Sequence, residues 1–180
     1  MKLLISSDIH GDAACCEKLI ERFKAEKAEK LLILGDVLYH GPRNDLPDGY
    51  APKKVIELLS EISEKIICVR GNCDTEVDQM VLPFPLLASY ALIYDGKAEM
   101  FCTHGHIYGE ENIPPFCKGG VLLCGHTHVP AFVKHGDYTY VNPGSVSIPK
   151  ENSPKSYIIY ENGTFTFKDI EGGVWAEYTI

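Results

Sequence analysis

Apolar residues in this chain come in short dense runs, and most runs end on a small group of polar residues. Leu3 to Ser7, Leu31 to Leu34 and Ile66 to Val69 are such runs. They show no polar alternation, so they predict strands buried on both faces. Between them the apolar spacing changes. Cys16, Leu19, Ile20 and Phe23 share one face of a helix that Asp12 can cap. Val55, Ile56, Leu58, Leu59 and Ile62 do the same behind Pro52, which suits the first turn of a helix. Strand, helix, strand, helix, strand over the first 70 residues predicts parallel strands with right-handed crossovers.

The second half reads differently. Short apolar segments lie near 88–94, 97–102, 121–124, 131–135 and 138–141. Tyr157 to Tyr160 and Thr164 to Phe167 flank Glu161-Asn162-Gly163, a strong hairpin signal. This half predicts mostly antiparallel sheet. The expected architecture is α/β: two mixed β-sheets packed face to face in a four-layer arrangement, sandwiched by helices. No repeat or low-complexity stretch divides the chain, so one domain over 1–180 is expected. The loop 40–51, rich in Gly, Pro, Asn and Asp, is the longest irregular segment, and long loops in compact domains are often functional.

Composition narrows the class. A chain of 180 residues with 45% apolar content can bury a sizeable core. No apolar run approaches the roughly 18 residues a membrane span needs. Met1-Lys2-Leu3-Leu4-Ile5 is too short for a secretory signal before Asp8 and His10 interrupt it. A cytoplasmic protein is expected. The seven cysteines have no framework spacing, which predicts reduced thiols. A net charge of −8 without a basic cluster argues against a long nucleic-acid partner. The oligomeric state is open, a homo-oligomer included.

Candidate chemistry sits where the runs stop. The first run leads to Asp8-Ile9-His10-Gly11, the second to Gly35-Asp36, and the third to Arg70-Gly71-Asn72. Met100 to Thr103 leads to His104-Gly105-His106, and Val121 to Cys124 leads to Gly125-His126-Thr127-His128. In open α/β sheets, sites form at strand ends. Each piece alone is weak: an Asp-x-His is more often a capped turn than a ligand pair. Together, five of the seven histidines lie at strand ends close to a glycine. Five such loops could present Asp8, His10, Asp36, Asn72, His104, His126 and His128 to one point.

These pieces, in this order, resemble the calcineurin-like metallophosphoesterases. "GDVLYHGPRN" (35–44), "RGNCD" (70–74), "GHTH" (125–128) and "NPGSVSIPK" (142–150) are similar to the small YfcE-type phosphodiesterases. The resemblance implies two divalent ions, manganese the expected one and iron, nickel or zinc the alternatives. It implies that Asp8, His10, Asp36 and His128 hold one ion. It implies that Asp36, Asn72, His104 and His126 hold the other, with the Asp36 carboxylate shared. Shared anionic ligands make two close dications tolerable, and an activated hydroxide between them would attack phosphorus. Asn72 and His104 are expected to be catalytic as well as ligating.

Other residues are expected around this centre. Arg70, His40 and Arg43 are candidate substrate contacts, with Asn44 beside them. Against this, Arg70 reads equally well as an ion-pair partner, and His40 and Arg43 as parts of a solvated loop. His106 is expected at the rim. Asn142-Pro143-Gly144-Ser145 reads as a turn supporting the site. The other six cysteines have no ligand spacing and read as small hydrophobes.

Cys73 is a different case. A phosphatase thiol needs an arginine six residues on, and position 79 is Gln. Nearby carboxylates also disfavour a thiolate. In much of the resembled family a histidine follows the asparagine, donating a proton to the leaving group and oriented by the next acid. Here Cys73 takes that place, with Asp74 after it. A neutral thiol is a weak general acid. The expected activity is therefore hydrolysis of a small phosphodiester, with weak or no phosphomonoesterase activity. The alternatives are a non-catalytic scaffold resembling the retromer subunit of the same fold, which is free to lack ligands, and a nuclease, which the charge disfavours.

Overall fold

Strand β1 (Lys2–Ser6) runs through the interior because its side chains are apolar on both faces. Leu3 and Ile5 point one way and Leu4 the other, and all three are fully buried. The structure is a computed structural model, which describes the backbone of residues 1–180 and every side chain except that of residue 116.

Parallel to β1 run β2 (Lys30–Ile33) and β3 (Ile66–Cys68). Helices α1 (Ala13–Ala25) and α2 (Pro52–Ser60) connect these strands and cover one face of their sheet. Asp12 caps α1 by accepting from the Cys15 amide at 3.0 Å, and Pro52 opens α2. On the other side of β1, β9 (Ser156–Glu161), β10 (Thr164–Asp169) and β11 (Val174–Thr179) add antiparallel, giving the order β11-β10-β9-β1-β2-β3. Asn162 and Gly163 turn the β9–β10 hairpin with φ of 51° and 87°, the conformation a two-residue primed turn requires.

The second sheet has the order β4-β5-β6-β8-β7. Its strands are β4 (Ala91–Tyr94), β5 (Glu99–Cys102), β6 (Val121–Leu123), β7 (Pro130–Lys134) and β8 (Thr139–Pro143). The sheets pack face to face through Leu3, Ile5 and Phe165 on one side and Met100, Leu123 and Val141 on the other. Within the second sheet β5, β6 and β8 are parallel, where mostly antiparallel pairing was expected. The long segment 103–120 explains this, because it can carry the chain back to the starting end of β5. It also covers the outer face of that sheet, over Phe101, Leu122 and Tyr140, with a short 3₁₀ turn at Pro115–Cys117.

A short helix α3 (Glu76–Val81) follows β3 and buries none of its residues. It and β11 were not anticipated, since neither carries an apolar run or a clean period. The parallel strands set the position of the site. They bring the loops after β1, β2, β3, β5 and β6 to one end of the sandwich.

Candidate metal centre

The loops meet in strained backbone. Asp8, His10, Asp36, His126 and His128 all have positive φ, between 48° and 68°. Aspartate and histidine tolerate this region better than most residues, at a cost of order 1 kcal/mol or more each. Backbone hydrogen bonds hold the loops there. The Asp8, His10 and Gly11 amides donate to the carbonyls of Gly35, Asp36 and Val37 at 3.1, 2.9 and 2.9 Å. The Gly125 amide donates to the His104 carbonyl at 2.8 Å.

The rings are fixed from behind. Nδ1 of His10, His104 and His128 lies 2.7, 2.6 and 2.7 Å from the carbonyls of Tyr39, Leu34 and Ile148. A carbonyl only accepts, so each Nδ1 carries hydrogen and each Nε2 turns inward. Inside, His10 Nε2 lies 3.4 Å from His128 Nε2, and His126 Nδ1 lies 3.2 Å from His104 Nε2. The Asn72 amide oxygen is 3.1 Å from His104 Nε2. Asp36 Oδ2 stands between the two halves, 3.6 Å from His10 Nε2 and 3.5 Å from His104 Nε2. Ligand atoms of Asp8, His10 and His128 fall within 4.8 Å of one another, as do those of Asp8, Asp36 and His104.

One atom tests whether a cation fits. Asp8 Oδ1 is buried and has no hydrogen-bond partner. It lies 3.3 Å from His128 Nε2 and 3.5 Å from His10 Nε2. A buried carboxylate oxygen without a hydrogen bond is costly. Surrounded by inward ring nitrogens, it suits a divalent ion with nitrogen and oxygen ligands. All seven residues expected from the sequence therefore meet here.

Without metal, protons hold the cluster together. Burial pushes the Asp8 carboxyl up, but the pull of His10 and the charges of His104 and His128 hold it well below the usual carboxylate range. Burial likewise opposes ionisation of Asp36, and His104 outweighs it, so that carboxyl is also held down. His104 shows the reverse: burial lowers it, while the Asp36 hydrogen bond and the charge of Asp8 raise it to about 9. His10 is raised by Asp8 against its own burial. His126 is lowered by burial and by His104.

The segment 70–74 separates into different jobs. Asn72 faces the cluster. The Cys73 amide donates to Asp36 Oδ1 at 2.8 Å, and its thiol falls within 4.8 Å of ligand atoms of His10 and Asp36. Burial and then the Asp36 charge push that thiol up to about 12, so it stays neutral. Asp74, which matches the acid that orients the proton donor in the resembled family, is fully buried behind the loops. Its carboxylate accepts from the amides of Asp36, Val37 and Gly71 at 2.8, 2.9 and 2.7 Å. It braces the loop that carries Asp36. Gly71 has no room for a side chain: an added Cβ would lie 2.0 Å from Asp36 Oδ1.

The substrate candidates divide. Arg43 and Asn44 line a cavity of about 380 Å³ that also exposes Asp36, Asn72, His126 and His128. Arg70 Nε donates to the Asp74 carbonyl and its guanidinium lies 3.9 Å from Glu76, with its charge also felt at His106. His40 packs edge-on between Tyr39 and Tyr50, with ring centroids 4.7 and 5.4 Å away, and is outside that cavity. His106 stands at the rim, 5.3 Å from the His104 ring. Lys150 lines the same cavity as Arg43 and was missed. It closes the stretch 142–150, but a lone lysine after a turn gave no reason to place it there. The turn itself supports the site as expected: Ser145 and Ser147 hydroxyls donate to the Asp8 carbonyl at 2.7 and 2.9 Å, and Asn142 Nδ2 donates to the Gly125 carbonyl at 2.7 Å.

The fold and its nitrogen-and-oxygen donor set place the protein among metallophosphoesterases. The calcineurin-like phosphoesterase superfamily domain matches residues 1–164, and the chain belongs to that superfamily. Phosphodiesterase YfcE of Escherichia coli (strain K12) is 51% identical over 162 residues, covering 90% of this chain and 88% of that protein. A solved structure of YfcE, a phosphoesterase from E. coli, matches with a TM-score of 0.96 and 47% identity over 100% of both chains. Vacuolar Protein Sorting 29 from Cryptosporidium parvum shares the fold, with a TM-score of 0.64 and 17% identity over 99% of this chain and 98% of its own.

Proposed function

We propose that this protein hydrolyses small phosphodiesters with two divalent ions, manganese the expected one. One observation carries the reading: inward nitrogens of His10 and His128 flank a buried Asp8 oxygen that lacks a hydrogen bond, with Asp36 and His104 in the same cluster. The 51% identity to a phosphodiesterase points the same way. Bound there, the ions would supply an activated hydroxide and polarise the phosphoryl oxygens. Asp8, His10, Asp36 and His128 hold one of them, and Asp36, Asn72, His104 and His126 the other. The chain's own groups orient the substrate. Arg43 and Lys150, which line the cavity, hold the phosphoryl oxygens, and Asn72, exposed to the same cavity, faces the reacting phosphorus, while His104 acts by holding its ion. Cys73, neutral, lends little to the departing oxygen, so diesters with good leaving groups react and monoesters react weakly. The proposed location is the cytoplasm, where its free cysteines stay reduced.

The test is an aryl phosphodiester assay after chelation and manganese addition, on wild type, Asp36→Asn and His128→Ala. Manganese should restore wild-type turnover, and either variant should lose at least a thousandfold. A wild type with no metal-dependent rate would favour the scaffold instead, and near-normal turnover in a variant would remove that residue from the site.

A further inference from the structure

A second cavity, of about 340 Å³, is lined by residues of the 38–56 segment, by Cys73 and by α3. Its walls are Leu38, Tyr39, Tyr50 and Ile56, with Val77 and Val81 of α3 opposite. Cys73 is part of its lining, and the same thiol lies within 4.8 Å of ligand atoms of His10 and Asp36. Tyr39 supplies one wall and, through its carbonyl, fixes the His10 ring. Cys73 and Tyr39 therefore border both this cavity and the candidate ligands.

We propose that this cavity receives one ester arm of the substrate, and that the arm is a flat, uncharged ring. The proposal rests on the phosphodiesterase reading and specifies its substrate class. The apolar walls disfavour a charged arm. Of the polar residues at the cavity, Thr75 and Asp78 are occupied with each other: the Thr75 amide and hydroxyl donate to Asp78 Oδ2 at 2.7 and 2.9 Å. Lys53 is the remaining charged group of the lining. The volume lies near the bottom of the roughly 300–1,000 Å³ range of small-molecule sites, room for a ring rather than an oligomer. Helix α3 buries nothing in the core, yet Val77 and Val81, four residues apart, both border this cavity while 68% and 46% exposed. Tyr39, 41% exposed, completes an aromatic cluster with His40 and Tyr50 against which a ring can stack.

Phosphonates test this without any bond being broken. Manganese-loaded protein is titrated calorimetrically with methylphosphonate, phenylphosphonate and uridine 5′-methylphosphonate, the last two placing an aryl ring or a nucleobase at different reach. At least one ring-bearing ligand should bind tenfold or more tightly than methylphosphonate, and which one identifies the kind of ring. In Val77→Asp/Val81→Asp, altered only at exposed positions, that advantage should fall below tenfold while methylphosphonate affinity holds. A smaller advantage in wild type, or one the double variant leaves intact, overturns the proposal. So does a double variant that lowers the oligomeric state by light scattering without touching ring selectivity, since the rim would then be a contact between copies. Absence of any manganese-dependent hydrolysis of an aryl phosphodiester would overturn the phosphodiesterase reading, and the ring subsite with it.

Discussion

Loading this site with metal must drive a proton out of it. In the metal-free protein His104 is held near pKa 9, so at pH 7 its inward nitrogen carries hydrogen rather than a lone pair. Each pH unit below that value costs about 1.4 kcal/mol to deprotonate it. At pH 7 the cost is about 2.7 kcal/mol, which weakens apparent metal affinity about a hundredfold relative to pH 9. His10 is raised in the same direction and adds to the effect below its own folded value. Manganese titrations from pH 6.5 to 9.5, in two buffers of different ionisation heat, count the protons directly. The expected result is one or more protons released at pH 7 and a Kd that tightens about tenfold per unit up to about pH 9. The metal-free protein should respond oppositely. Its His104 is raised above the unfolded value of about 6.5, so the stabilisation is complete below pH 6.5 and is lost as pH rises toward 9. The depressed Asp8 contributes above about pH 3.9 and loses its share as pH falls through its folded value. Both shifts describe one attraction and are counted once. Proton-free binding at pH 7 with a Kd independent of pH would refute this account of the cluster.

Two substitutions probe the loop after β3. Cys73→His should raise phosphomonoesterase turnover several-fold by restoring an imidazole beside Asp36, measured with an aryl monoester under saturating manganese; an unchanged rate would mean that leaving-group protonation does not limit that reaction. Gly71→Ala should push Asp36 out of place, because the new Cβ would sit 2.0 Å from its Oδ1 and 2.3 Å from its amide nitrogen. The expected loss is about 1–3 kcal/mol of stability by thermal melting, with at least a tenfold loss of manganese affinity by calorimetry.

The elements that were legible in the sequence are those whose burial leaves a pattern. The runs at 3–7, 31–34 and 66–69 are apolar on both faces because a helix layer and a second sheet cover them. The cluster of candidate ligands was legible because its members lie in the loops that follow such runs. What escaped depends on three-dimensional placement. Strand β11 is mostly exposed, so nothing forces alternation on it. Asp74 looked like part of the chemistry because it follows Cys73, whereas three backbone amides from two loops claim its carboxylate. Lys150 reaches the cavity because the turn at 142–147 is tied to the carbonyl of Asp8 and its own amide donates to the carbonyl of His128. No local pattern encodes a contact across more than a hundred residues.

The strain explains why so much of the chain is committed to so small a region. Five ligand residues in left-handed backbone cost together on the order of 5 kcal/mol, comparable to the whole stability of many domains. Backbone hydrogen bonds between the loops offset part of that. Further support comes from the Asp74 carboxylate, the Ser145 and Ser147 hydroxyls, and the carbonyls that anchor three histidine rings. These contacts hold the donor atoms close together before any ion arrives, so little ordering remains to be done on binding. The same rigidity sets the limit of the site. A centre that cannot relax cannot reshape itself around different substrates, so selectivity must come from the surfaces beside it. Those surfaces differ in kind, one carrying Arg43 and Lys150 and the other walled by Tyr39, Tyr50 and Ile56. A phosphate with a ring-bearing arm matches both at once.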